Sequence, residues 1–139
     1  MIHVAYQHPA RRFSRKETRR VLNAVLRKER SQRWDVSVVF TNDRHMRKIN
    51  RTFLGHNEVT DVIAFPLHDA MKVDAEVYVN LDRAACQARD EKVPFAEEVR
   101  RLLIHGTLHV LGYRDSTKTQ RHRMRKREDR YLALLRERR

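Results

Sequence analysis

Residues 94–115 read PFAEEVRRLLIHGTLHVLGYRD. Pro94 suits the opening of a helix, and Glu97 and Glu98 follow in the first turns, where the helix dipole favours negative charge. Val99, Leu102, Leu103, Leu108 and Leu111 make the segment apolar. Gly112 is expected to end it in a left-handed cap. His105 and His109 stand four apart, so at 3.6 residues per turn both imidazoles leave the same face of the helix. Asp115 lies just past the glycine turn, where it can swing back beneath the same point.

Working outward, the rest of the chain supplies the sheet against which such a helix packs. Ile2 to Tyr6 alternates as a strand. Ser14 opens a helix, with Glu17 placed for a capping box and Val21, Leu22, Val25 and Leu26 at helical spacing. Asp35 to Thr41 is β-branched and reads as a strand. Asn42 can cap a second helix containing Met46 and Ile49 and ending near Phe53. Asp61 to Phe65 is a strand stopped by Pro66, and Glu76 to Asn80 is another, with 65–75 joining them. Asn80 can cap a third helix running to about Glu91. Ser116 or Thr117 starts a last helix, with Met124, Tyr131, Leu132 and Leu135 facing inward. The order β-α-β-α-β-β-α-α-α implies an α+β fold: one domain over 1–139, a four-stranded mixed sheet packed with about five helices.

Composition narrows the function. The chain has 139 residues, enough for one real core, and 40% of them are hydrophobic, which excludes compositional disorder. Lys and Arg number 31 against 18 Asp and Glu, a net +13. A surplus of this size points to a polyanion partner, nucleic acid first, although it also serves solubility. The run from Arg121 to Arg139 carries much of it, as a basic amphipathic helix. A single cysteine, Cys86, excludes an intrachain disulfide and fits a reducing compartment; it reads as a buried structural thiol. No apolar run is long enough to span a membrane, so the cytoplasm is the expected location.

The pattern H-x-x-x-H-x-x-G-x-x-D over His105, His109 and Asp115 suits one metal ion with a position left for water or substrate, as in catalytic zinc sites. The histidine pair alone could be a packed, hydrogen-bonded pair; Gly112 and Asp115 at this spacing favour a metal. Imidazole and carboxylate ligands suit Zn2+ best, with Ni, Co or Fe as alternatives. In helical metallopeptidase motifs the residue after the first histidine is a glutamate base. Here it is Gly106, which cannot move a proton. With a basic surface, this favours a phosphodiester substrate, for which a metal supplies both charge relief and a nucleophile.

HGTLHVLGYRD resembles the H-G-x-L-H-x-x-G-Y-D-H ligand motif of the YbeY family of rRNA-maturation endoribonucleases. Residues 50–66, NRTFLGHNEVTDVIAFP, resemble a second signature of that family, and 75–80, AEVYVN, its G-[DE]-I-x-I strand. The resemblance covers about residues 35 to 135. It implies a single-strand-directed, metal-dependent endoribonuclease that matures small-subunit rRNA and takes part in ribosome quality control; a monomer is expected. It has rRNA and the small ribosomal subunit as partners. Two positions depart from the family. Asp115 replaces the usual third histidine, and His122 is a rival for that place. Leu54 stands where the family often has an arginine that acts on the phosphate; Arg51 or Arg114 could substitute. A non-catalytic ribosome-binding factor with a structural metal is the alternative that Leu54 keeps open, and a small metallopeptidase is a third.

Among other residues, Asp61 is either a turn residue or a carboxylate near the metal, and Glu76 either a solvated strand end or a carboxylate in the cleft. The expected catalytic set is therefore Asp61, Arg51 and Glu76. His45, His56 and His68 read as surface residues, and Trp34 and Phe40 as core rather than RNA-stacking platforms.

Overall fold

A computed structural model describes residues 1–29, 33–67 and 71–138. His68 and Arg139 lie outside the described residues. The elements are β1 (Ile2–Tyr6), α1 (Arg15–Glu29), β2 (Arg33–Thr41), α2 (Asp43–Leu54), β3 (Val62–Leu67), β4 (Lys72–Asn80), α3 (Leu81–Glu91), α4 (Phe95–Val110) and α5 (Lys118–Glu137). The expected order and the mixed four-stranded sheet are both present. The strands lie in the order β1-β2-β4-β3, with β1, β2 and β4 mutually parallel and β3 antiparallel to β4.

Strand alternation decides which face is core. Val4, Val36, Val38, Phe40, Val77 and Val79 share one face and are buried. Helix α4 crosses this face so closely that a methyl on Gly106 would lie 2.8 Å from Val77 Cγ1 and 3.0 Å from Val62 Cγ2. Helices α1, α3 and α5 pack around α4. The other face carries Ser37, Glu76 and Tyr78, and α2 covers part of it. There the Phe53 and Tyr78 rings each meet Phe65 edge-on at 5.8 Å.

The caps follow the sequence closely. Ser14 Oγ accepts from Glu17 N, Asn42 Oδ1 from His45 N, and Asn80 Oδ1 from Asp82 N and Arg83 N. Thr117 and Gln120 form a complete capping box on α5. The expected box on α1 is different: the Glu17 carboxylate binds Arg20 at 2.7 Å and Arg100 of α4 at 2.8 Å. The Arg20 hydrogen bond leads in holding that carboxyl down at about 2, against the opposing effect of burial and with help from Arg100. Glu17 therefore ties two helices together.

Four expectations are corrected. Strand β3 continues through Pro66, which lies opposite Ala75. An edge strand tolerates proline, because one side of its backbone needs no donor. Strand β4 starts at Lys72 rather than Glu76, because it pairs with β2 from Arg33↔Lys72 onward. Cys86 is half-buried, receiving Arg89 Nη2 at 3.5 Å; the inward side of α3 is Leu81, Ala84 and Ala88. Trp34 sits at the rim of the core with Nε1 donating to Asn23 Oδ1, whereas Phe40 is fully buried as expected.

Candidate metal centre

Helix α4 presents His105 and His109 one turn apart. The chain then turns at Leu111 and Gly112, where Gly112 adopts φ 100°. The turn is closed by Gly112 N donating to His109 O and Tyr113 N donating to Leu108 O. This brings Asp115 back beneath the helix end. His105 Nε2 and His109 Nε2 are 2.9 Å apart, and Asp115 Oδ2 lies 3.2 Å from the first and 3.3 Å from the second. Zinc bonds of about 2.0–2.2 Å in tetrahedral array hold neighbouring ligand atoms roughly 3.3 Å apart. The triangle therefore fits one such ion, and its outer side is open. Among the described residues no other His, Cys, Asp and Glu set brings three ligand atoms within 4.8 Å.

The tautomers agree with this. His109 Nδ1 is 2.9 Å from the Tyr113 carbonyl oxygen, which can only accept, so Nδ1 carries the proton. His105 Nδ1 is 2.6 Å from Glu128 Oε2 and donates to it. In both neutral rings the Nε2 lone pair is left facing the common point. Glu128 lies on α5 and is 4% exposed. Its other oxygen accepts from Arg101 Nη1 at 2.9 Å, and Arg101 Nη2 reaches Asp129 at 2.6 Å. Burial works against a charged His105. The bond and charge of Glu128, followed by the charges of Asp115 and Asp61, outweigh burial and raise its pKa. Positive charge is thus favoured at this spot.

The triangle borders a cleft of about 350 Å³. Asp61, Gln87, Glu98, Arg101, Arg121 and Arg125 are among the residues that line it. Asp61 is held there by Gln87 Nε2, 3.1 Å from Oδ2. The other two residues of the expected catalytic set are elsewhere. Glu76 shares the opposite face of the sheet with Tyr78, whose hydroxyl donates to it at 3.1 Å. Arg51 projects from α2 into a separate recess with Arg44, His45 and Lys48. The strand's period of two sends Glu76 away from α4, because Val77 faces α4. His45, His56 and His122 are exposed, and His122 is not one of the converging ligands. Sequence reasoning missed Glu128 and Arg101, and read Glu98 only as a first-turn residue of α4 and Arg121 only as part of the basic face of α5.

A mixed α+β fold that gathers three ligand atoms around one point, open toward a cleft lined by both carboxylates and arginines, has the architecture of a mononuclear metal centre. The chain belongs to the YbeY family: the family described as Endoribonuclease YbeY matches residues 4–136. A relative named Endoribonuclease YbeY from Chlorobium phaeovibrioides is 39% identical over 117 residues, 84% of this chain and 79% of its own. One of the same name from Chlorobium phaeobacteroides is 38% identical over 130 residues, 94% of each chain. The solution structure of TM1509 from Thermotoga maritima superposes with a TM-score of 0.67 at 25% identity, over 95% of this chain and 87% of that one.

Proposed function

We infer that the protein is a metal-dependent endoribonuclease. Its substrate is single-stranded RNA, and its role is in small-subunit rRNA maturation and ribosome quality control in the cytoplasm. The observation that carries this reading is the triangle of His105, His109 and Asp115, opening onto a cleft with unpaired cationic charge. Zinc is the best match to two imidazoles and a carboxylate. Family membership and the names of the relatives support an RNA substrate. No helix among the described residues is long and apolar enough to cross a membrane.

A zinc ion held there would polarise a phosphoryl oxygen and lower the pKa of a bound water. The rest falls to the chain itself. Glu128 and the Tyr113 carbonyl keep both histidines in the ligating tautomer. Asp61, on the wall of the cleft, is placed to accept a proton. Arg121 and Arg125, one turn apart on α5, draw the phosphodiester toward the ligands and take over the part expected of Arg51. Gly106 argues against a peptidase, since a side chain there would run into Val77 and Val62 rather than toward the cleft.

Purified protein assayed on single-stranded RNA and on casein, with and without chelator, tests the reading. RNA cleavage that chelator abolishes is expected, with casein intact. His105→Ala should lose both the ion and the cleavage. Asp115→Ala should lose most of the metal, and Asp115→His should keep it. RNA cleavage by metal-free protein would sink the proposal.

A further inference from the structure

The cleft holds a carboxylate that nothing in the chain satisfies. Glu98 lies two turns before His105 on the same side of α4 and is 6% exposed, with its carboxylate on the cleft wall. Among the described residues no hydrogen bond or ion pair reaches it. The charged groups facing it are Arg101 from α4, Arg125 from α5, Asp61 before β3 and Glu91 at the end of α3. Arg101 is already bound to Glu128 and Asp129. Burial raises the Glu98 pKa, against the pull of the two arginines. Thr41 Oγ1 alone among the fully enclosed side-chain polar atoms of the described residues lacks a partner, so the Glu98 oxygens reach the solvent of the cleft and are open to a ligand there.

The geometry discriminates between candidate ligands. A second metal ion would need convergent donors, and Glu98, Asp61 and Glu91 do not converge as His105, His109 and Asp115 do. Proton transfer at the reacting phosphate is out of reach, because seven residues of helix advance about 10 Å along its axis. That separation suits one nucleotide, with its phosphodiester at the ligand triangle and its base at Glu98. Leu102 and Met124, each 4% exposed, are buried beside Glu98 and make that end of the cleft apolar. An ionised carboxylate only accepts, through two oxygens side by side. Guanine alone among the four RNA bases presents two parallel N–H donors on one edge, whereas uracil presents one N–H between two carbonyl oxygens.

We propose that Glu98 is the base-reading acceptor of a single-nucleotide subsite beside the metal centre, and that it selects guanine. The proposal rests on RNA being the substrate. The test titrates the full-length protein with the four ribonucleoside 5′-monophosphates and maps cleavage of single-stranded RNA oligonucleotides, in wild type and in Glu98→Gln. GMP should bind about tenfold tighter than UMP, the discrimination expected of a bidentate pair. Glu98→Gln should erase that preference, shift cleavage away from guanosine and leave UMP affinity within about twofold. Because an unpartnered buried charge is removed, the variant should melt no lower than wild type.

Equal affinity for all four nucleotides overturns the proposal, as does a guanine preference that survives in Glu98→Gln. A large loss of stability in the variant also overturns it, since that would reveal an internal partner. So does Mg2+ or Mn2+ binding that depends on Glu98 without any nucleotide preference. RNA cleavage without base preference sinks only the subsite. Guanine preference without RNA cleavage sinks only the nuclease reading.

Discussion

Glu128 determines how His105 presents itself. By accepting from Nδ1 at 2.6 Å it fixes the tautomer and the ring orientation, and Arg101 holds it in turn. Outer partners of metal-bound histidines typically change metal affinity by about 10–100-fold when removed. Glu128→Gln should therefore weaken zinc binding by roughly that factor, since the amide keeps the shape but loses the charge. Glu128→Ala should weaken it further, leaving Arg101 without its buried partner. Competition with a chromophoric chelator measures both, and unchanged affinity in the two variants would remove Glu128 from the site. A signal for Glu128 existed in the sequence. Met124, Glu128, Tyr131, Leu132 and Leu135 fall on one stripe of α5, and all are buried. A carboxylate in an apolar stripe marks a buried partner, but the surrounding Arg and Lys run disguised it as surface. The three ligands were legible because their spacing is local, within one helix and one turn. Glu98 was within reach of helical spacing, two turns before His105 on α4, but a glutamate in a first turn reads as a partner of the helix dipole. Asp61 meets the site through packing between α3, α4 and the sheet, which no local pattern encodes.

Among the elements, α4 does most to connect core and site, and Gly106 is where the two meet. Alanine in a helix interior is favoured over glycine by about 1 kcal/mol. Here a methyl would sit 2.8 Å from Val77 and 3.0 Å from Val62, both on strands that β pairing holds in place. Overpacking of this kind costs about 1–3 kcal/mol, so the clash outweighs the propensity. Gly106→Ala should lower the melting temperature by several degrees and weaken metal binding, because α4 must lift and carry His105 and His109 with it. Thermal unfolding with and without zinc checks this; a variant as stable as wild type would show that α4 can shift at no cost. Helix limits were readable here because caps are local: Asn42, Asn80 and Thr117 each cap the expected helix. Strand limits were not. The reach of β3 past Pro66 and of β4 back to Lys72 depends on which strand lies alongside, and the parallel pairing of β1, β2 and β4 joins segments far apart in sequence.

At the scale of the whole molecule, the +13 charge divides into arginines that hold the fold and cations left for a partner. Arg20, Arg100, Arg101, Arg127 and Arg136 are bound to Glu17, Glu29, Glu97, Glu128 or Asp129. Arg127 also lies over the Tyr113 ring at 4.4 Å, which makes it a fastening of α5 rather than an RNA contact. The exposed basic face of α5 is therefore narrower than its sequence suggests, and its cleft side consists of Arg121 and Arg125. Each phosphate contact on a single strand contributes about 0.7 to the slope of log affinity against log salt. Arg121→Gln with Arg125→Gln should flatten that slope by about 1.4 and weaken RNA binding at low salt, with melting temperature and metal content unchanged. Arg127→Gln should do the reverse, lowering stability by loosening α5 from α1 while leaving the slope almost untouched. Binding of a single-stranded RNA across a salt series, in wild type and both variants, separates the two kinds of arginine. A slope that Arg121 and Arg125 do not affect, or one that falls on loss of Arg127, would place the RNA path on another face of the protein.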